Sequence, residues 1–187
     1  MKKKLIGLSL ILMLIAIIAN SSLAYFSDEE IATNVITAGN IKIELNEMME
    51  DEQGNLIPYQ NEMMMMPNTT VSKIVSVKNI GNQDAYIRLE VLKSINVDNA
   101  DLDLIQIQYN QQDWMYQDGY YYYRFALKPQ EETSPLFNEV YFDASMSNEY
   151  QNSVATIEII AYSVQAKNNG SHVLEASGWP SKGGNES

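Results

Sequence analysis

Chemistry needs side chains that hold protons, metals or electron pairs, and this chain of 187 residues is short of them. It has one histidine, His172, and no cysteine. One imidazole cannot build a His-based zinc site, and no His-Glu-x-x-His sequence occurs. A Ser-His-Asp triad would rest on His172 alone, with no Gly-x-Ser-x-Gly turn to raise a serine nucleophile. The absence of cysteine excludes disulfides, thiolate metal sites and thiol nucleophiles. No glycine-rich phosphate loop is present. Carboxylate pairs of the glycosidase kind are set by folded distance, so 24 acidic residues do not point to one. The expectation is a protein that is not an enzyme, with no catalytic, cofactor-binding or metal residues.

Three clusters remain. Met63, Met64, Met65 and Met66 follow Met48 and Met49. Soft thioethers suit Cu(I), but the same run serves as flexible apolar filler leading into a strand. Asp98, Asp101 and Asp103 invite calcium, yet they lack the glycine and terminal glutamate of an EF-hand loop. A solvated acidic turn is the plainer reading. Tyr120, Tyr121, Tyr122 and Tyr123 suggest a sugar platform, but a strand splits them two to each face. Packing then accounts for them. His172 is expected on the surface.

Residues 1–24 carry the three parts of a secretory signal peptide. Lys2, Lys3 and Lys4 form the basic region, and residues 5–19 are apolar apart from Gly7 and Ser9. Ser22-Leu23-Ala24 offers small residues for cleavage between Ala24 and Tyr25. This run of fifteen residues falls short of the roughly 20 that a spanning helix wants. Cleavage would leave 163 residues and move the formal charge from −12 to −15, since the segment carries three lysines and no acid. So acidic a domain should not bind nucleic acid through phosphates, and it should repel its own copies.

The rest alternates in period two. Ile41, Ile43 and Leu45 share one face of the run 41–45, and residues 46–68 look like a loop. The runs 71–78 and 85–92 are expected as an antiparallel pair across the turn 79–84. Further strands are expected at 104–109, 136–142 and 154–166. Asp118-Gly119 between aromatic runs is a type I′ hairpin signal. Residues 172–176 read as a helical turn and 183–187 as a polar tail. Eight or nine short strands without a long helix mean an all-β fold, an antiparallel jelly-roll-like β-sandwich. The divisions expected are a signal peptide (1–24), an N-terminal strand or assembly arm (25–38), the sandwich (39–167) and a C-terminal tail (168–187).

Several segments together resemble the TasA/camelysin family of exported proteins from Gram-positive bacteria. They are AYFSDEE at 24–30, ATNVITAGNIKIEL at 32–45, TVSKIVSVKNIGNQDAYIRLEV at 70–91, GYYYYRFALKP at 119–129, SPLF at 134–137 and IIAYSVQAKN at 159–168. The resemblance implies a jelly-roll subunit of extracellular matrix (biofilm) fibres, exported through a SipW-type signal peptidase. It implies a secreted, cell-surface or matrix location, with membrane contact before cleavage only. Some members of the family are called casein-cleaving metallopeptidases, and this chain shows no zinc ligand set. The alternatives are a camelysin-like surface peptidase and an adhesin or binding module.

A sandwich that lacks one edge strand invites strand addition. An arm with Tyr25, Phe26, Ile31, Val35 and Ile36 would fill that gap in the next copy, and repeated donation gives a head-to-tail filament with the chain as its own partner. The bland alternative has the arm folding back as the first strand of its own domain. The cleavage reading predicts that secreted protein starts at Tyr25 on N-terminal sequencing; an intact Met1 refutes it.

Overall fold

The structure, a computed structural model, describes residues 34–38, 40–60, 63–150 and 153–180. It is all-β. Among the described residues twelve strands form one six-stranded and two three-stranded sheets. Among the described residues helical structure is limited to three 3₁₀ turns, and no helix there is long and apolar enough to cross a membrane.

The six-stranded sheet contains β1 (Val35–Thr37), β4 (Met63–Met64), β7 (Ala85–Ile95), β9 (Trp114–Gln117), β10 (Tyr120–Tyr123) and β12 (Val154–Gln165). Its order is β1-β12-β7-β10-β9, with β4 on the first half of β12. One three-stranded sheet has the order β3-β2-β6, from β3 (Leu56–Pro58), β2 (Ile43–Glu50) and β6 (Ile74–Asn79). The other has the order β5-β11-β8, from β5 (Thr69–Ser72), β11 (Glu139–Phe142) and β8 (Ile105–Ile107). Every strand pairing is antiparallel except that of β1, which runs parallel to β12.

The main core takes Ile87, Leu89, Ile157 and Ile159 from the six-stranded sheet, Ile43, Val75 and Val77 from the second, and Ile105, Val140 and Phe142 from the third. It therefore lies between the large sheet and the two small ones. A smaller cluster of Tyr86, Tyr122, Val164, Ala166 and Val173, with Trp179 packed on it, covers part of the large sheet's opposite face. The sequence of β12 records this. Its first half alternates, with Thr156 and Glu158 exposed and Ala155 and Ile157 buried. From Ile159 to Val164 every residue is buried, because both faces are covered there.

Three sequence expectations change. The runs 71–78 and 85–92 do not pair: β6 pairs with β2, and β7 with β12 and β10. The turn between them carries the chain from one sheet to another, held by Asn79. That buried side chain donates to the carbonyls of Gln83 and Leu127, both at 2.8 Å, and accepts from the Gly81 N–H at 3.0 Å. A Cβ on Gly81 would lie 3.1 Å from the Lys42 nitrogen, so a side chain there would press on the Lys42 backbone. Residues 46–68 are not a plain loop, since β2 extends to Glu50 and turns at Gly54 (φ +79°) into β3. The run 71–78 is broken at Lys73, where the chain leaves one small sheet for the other.

Lys73 explains that break. Its side chain is fully buried, paired with Glu47 of β2, and its Nζ lies 3.7 Å from the centre of the Tyr59 ring. Burial pushes its pKa below the usual 10.5, while the Glu47 carboxylate pulls the other way. An ammonium so placed is tolerable only with its partner. Glu47→Ala should therefore cost roughly 2–3 kcal/mol in urea unfolding, below the fully buried range because Glu47 keeps contact with water. Lys73→Met, which removes the buried charge, should stay within about 1 kcal/mol of the parent.

Candidate functional site

The open edges of the large sheet are where backbone hydrogen-bonding groups remain available. On the outer edge of β12, β4 pairs at Val154 and Ala155, and β1 pairs at Ala161, Tyr162 and Ser163. Among the described residues nothing pairs with 156–160 on that side. The Ala161 N–H donates to the Asn34 carbonyl at 2.7 Å, and the Ser153 carbonyl accepts from the Met65 N–H at 3.1 Å. Alternation then turns the N–H and C=O of Ile157 and Ile159 to the same edge. Their side chains stay in the core, at 5% and 0% exposure. This is a five-residue notch in the strand pairing of β12, with no backbone partner among the described residues; since Ile157 and Ile159 are covered as whole residues, its outward backbone groups are not open to water.

The opposite edge is β9. Asp118 (φ +50°) and Gly119 (φ +88°) make the expected type I′ turn, which sets Tyr121 opposite Tyr116 and Tyr123 opposite Trp114. Tyr121 and Tyr123 pack toward the main core, while Tyr120 and Tyr122 lie in the cluster on the other face. Tyr109 stacks on Tyr121 with ring centres 4.3 Å apart, and Tyr116 tilts over Tyr121 at 4.8 Å. These three rings, with Asn110, Gln111 and Arg124, line a groove of about 550 Å³. Burial raises the phenol pKa of Tyr109 and Tyr121. Asp113 nearby is held below its usual 3.8 by the Ser134 hydroxyl and the Asn110 amide.

On the large sheet's other face, Arg88 sits in an aromatic box. Its guanidinium carbon lies 3.9 Å from the centre of Tyr120, 4.7 Å from Trp179 and 5.0 Å from Tyr162. It donates to the Pro180 carbonyl at 3.2 Å, so residues 173–180 strap this face. Tyr162 donates to Glu90 at 2.7 Å, and burial is the first cause of its raised pKa.

Of the residues singled out from sequence, Val35 and Ile36 lie in β1, pairing with β12 of their own chain opposite Ala161 and Tyr162. Ala24, Tyr25, Phe26 and Ile31 lie outside the described residues. His172 is exposed and capped locally: its Nδ1 accepts from the Leu174 N–H and its Nε2 is 3.2 Å from Glu175. Met63 and Met65 are buried while Met64 and Met66 face solvent, so the methionine run does not converge on one ion. Asp101 accepts from the Asp103 N–H in a local turn. Among the described residues no group of three or more His, Cys, Asp or Glu side chains is placed to hold a metal. The Tyr116–Tyr121 pairing follows from the Asp-Gly signal, but Tyr109 comes from another segment and left no sequence mark. The role of Lys73 was likewise hidden, because a lysine in a strand pattern normally faces water.

The chain matches no protein-family model, no curated protein and no solved structure.

The buried phenols give a pH signature. Tyr59 is pushed up to about 12 by burial and then by Glu47, and Tyr109, Tyr121 and Tyr162 are raised as well. The folded state thus prefers the neutral phenols. Their contribution is complete below pH 10.0 and is lost as the pH rises through the folded values. Ultraviolet titration should show a late-ionising subset of tyrosines coinciding with alkaline unfolding, and Tyr121→Phe should shrink that subset.

Proposed function

We propose that this protein is an exported structural subunit that assembles into extracellular fibres by head-to-tail strand addition, as its resemblance to the TasA/camelysin family implies. The signal-like segment 1–24 would be removed at Ala24, leaving Tyr25 at the head of an acidic arm. The fold reading within this proposal is a jelly roll, with a single chain as both donor and acceptor.

The observation that carries the proposal is the notch on β12. The outward backbone groups of Ile157 and Ile159 are unpaired among the described residues although both residues are buried, a condition that calls for a strand partner, and the ends of the notch are closed by β4 and β1. An added strand gains main-chain hydrogen bonds and buries apolar side chains at once. Continuing the parallel register of Val35 with Ala161 would set residue 32 beside residue 158. In a fibre β1 and the segment before it would lie on the β12 of the neighbouring copy in this same register, and each subunit gives one arm and accepts one. Such a contact need not close, so it propagates.

The chain has no cysteine, so an introduced pair reports without background. Ala32→Cys with Glu158→Cys, oxidised after assembly, should give a ladder of covalent oligomers in denaturing gels. A compact disulfide-closed monomer would mean that the arm lies along its own β12. Deletion of residues 25–36 should abolish the fibres seen by electron microscopy; normal fibres from the truncated protein would overturn arm donation.

A further inference from the structure

The groove beside β9 calls for an occupant that differs from the one at the β12 notch. Strand addition is poorly served here. β9 is four residues long, and its register turns only Trp114 and Tyr116 to the open side. The Trp114 N–H is already given to the Asn110 carbonyl at 3.2 Å. A peptide would gain the backbone of one residue and little more.

Its side chains are better suited to a ligand with apolar faces and polar edges. Tyr116 is 66% exposed, and its ring serves no core. Beside it, the stacked pair Tyr109–Tyr121 fixes the wall, so the platform is pre-organised. Gln111 offers an amide at the rim. Arg124 spends one N–H on the Gln111 carbonyl at 3.2 Å and makes no ion pair among the described residues. Asp113, whose charge Arg124 reaches, is turned to Ser134 at 2.7 Å and Asn110 at 3.2 Å. Among the described residues no carboxylate lines the groove, in a chain with twice as many acidic as basic residues.

We propose that this groove binds a pyranose oligosaccharide, one sugar ring packing its C–H face on Tyr116 while Gln111 and Arg124 hold its hydroxyl or carboxylate edge. A sugar ring has an apolar face that matches an aromatic ring and a periphery that needs donors. The guanidinium favours a uronate over a neutral sugar, because a planar fork of donors fits a carboxylate. The inference does not rest on the fibre proposal, since β9 and β12 are separate edges of the sheet.

Isothermal titration of the full chain with cellohexaose and with hexagalacturonate tests it. Both should give saturable heat, tighter for the uronate. Tyr116→Ala should weaken both by about tenfold. Gln111→Ala should also weaken both, and Arg124→Gln should remove the preference for the uronate. All three positions are exposed, so the variants keep the fold, which circular dichroism confirms. Absence of saturable heat with either probe overturns the proposal. So does binding that survives both Tyr116→Ala and Gln111→Ala. Self-association that Tyr116→Ala abolishes, with no heat from either sugar, would show that a second copy occupies the groove, and would equally overturn it.

Discussion

The pairing of β7 with β12 is the constraint on which the rest of the molecule depends. Eleven residue pairs, from Ala155 with Ile95 to Gln165 with Ala85, run along two strands of eleven and twelve residues. Each strand sends alternate side chains to opposite faces. One set, including Ile87, Leu89, Ile157 and Ile159, forms the floor of the main core. The other set, including Tyr86 and Val164, forms the smaller cluster beneath the C-terminal strap. A one-residue slip would exchange the two sets and place Arg88 and Glu90 in the main core. Register is therefore fixed by both faces at once.

Buried polar groups fix what the ladder leaves open. Asn79 satisfies its amide at the sheet-switching turn, and Lys73 is held between Glu47 and Tyr59 where the chain leaves one small sheet for the other. Both sit at changes of direction. A hydrophobic residue at either place would pack, but it would not say which sheet the next strand joins. The outlay for burying an ammonium is offset by a unique path for the chain, the specificity role that paired buried charges serve in some proteins.

Alternation made much of this legible. The strands at 41–45, 85–92 and 154–166 were visible from period two, and the turn at 118–119 followed from Asp-Gly because both positions need positive φ. Partner choice was not legible. The runs 71–78 and 85–92 look like a hairpin because they are adjacent and of similar length, yet long-range burial sends them to different sheets. The second half of β2, from Asn46, and all of β3 were hidden because Glu47, Met48 and Met49 carry no clear alternation. Of the two edge sites, half of the tyrosine groove was implied by the hairpin. The notch on β12 was not, since an unpaired stretch leaves no mark in the residues that compose it.

The treatment of edges separates that notch from the others. An open strand edge is a liability that proteins blunt by shortness, proline or charge. β3 has three residues and ends in Pro58. β8 also has three, and β9 has four. On β12 the stretch without a partner among the described residues is longer, its odd residues are buried, and its ends are already paired. One exposed charge, Glu158, sits at its middle on the outer face. That charge, with a formal net charge of −12, opposes chance pairing between copies. It does not touch the outward N–H and C=O of Ile157 and Ile159, which a strand in the right register would pair. A surface built this way discourages indiscriminate edge contacts and still accepts a strand whose apolar residues fall in the matching phase.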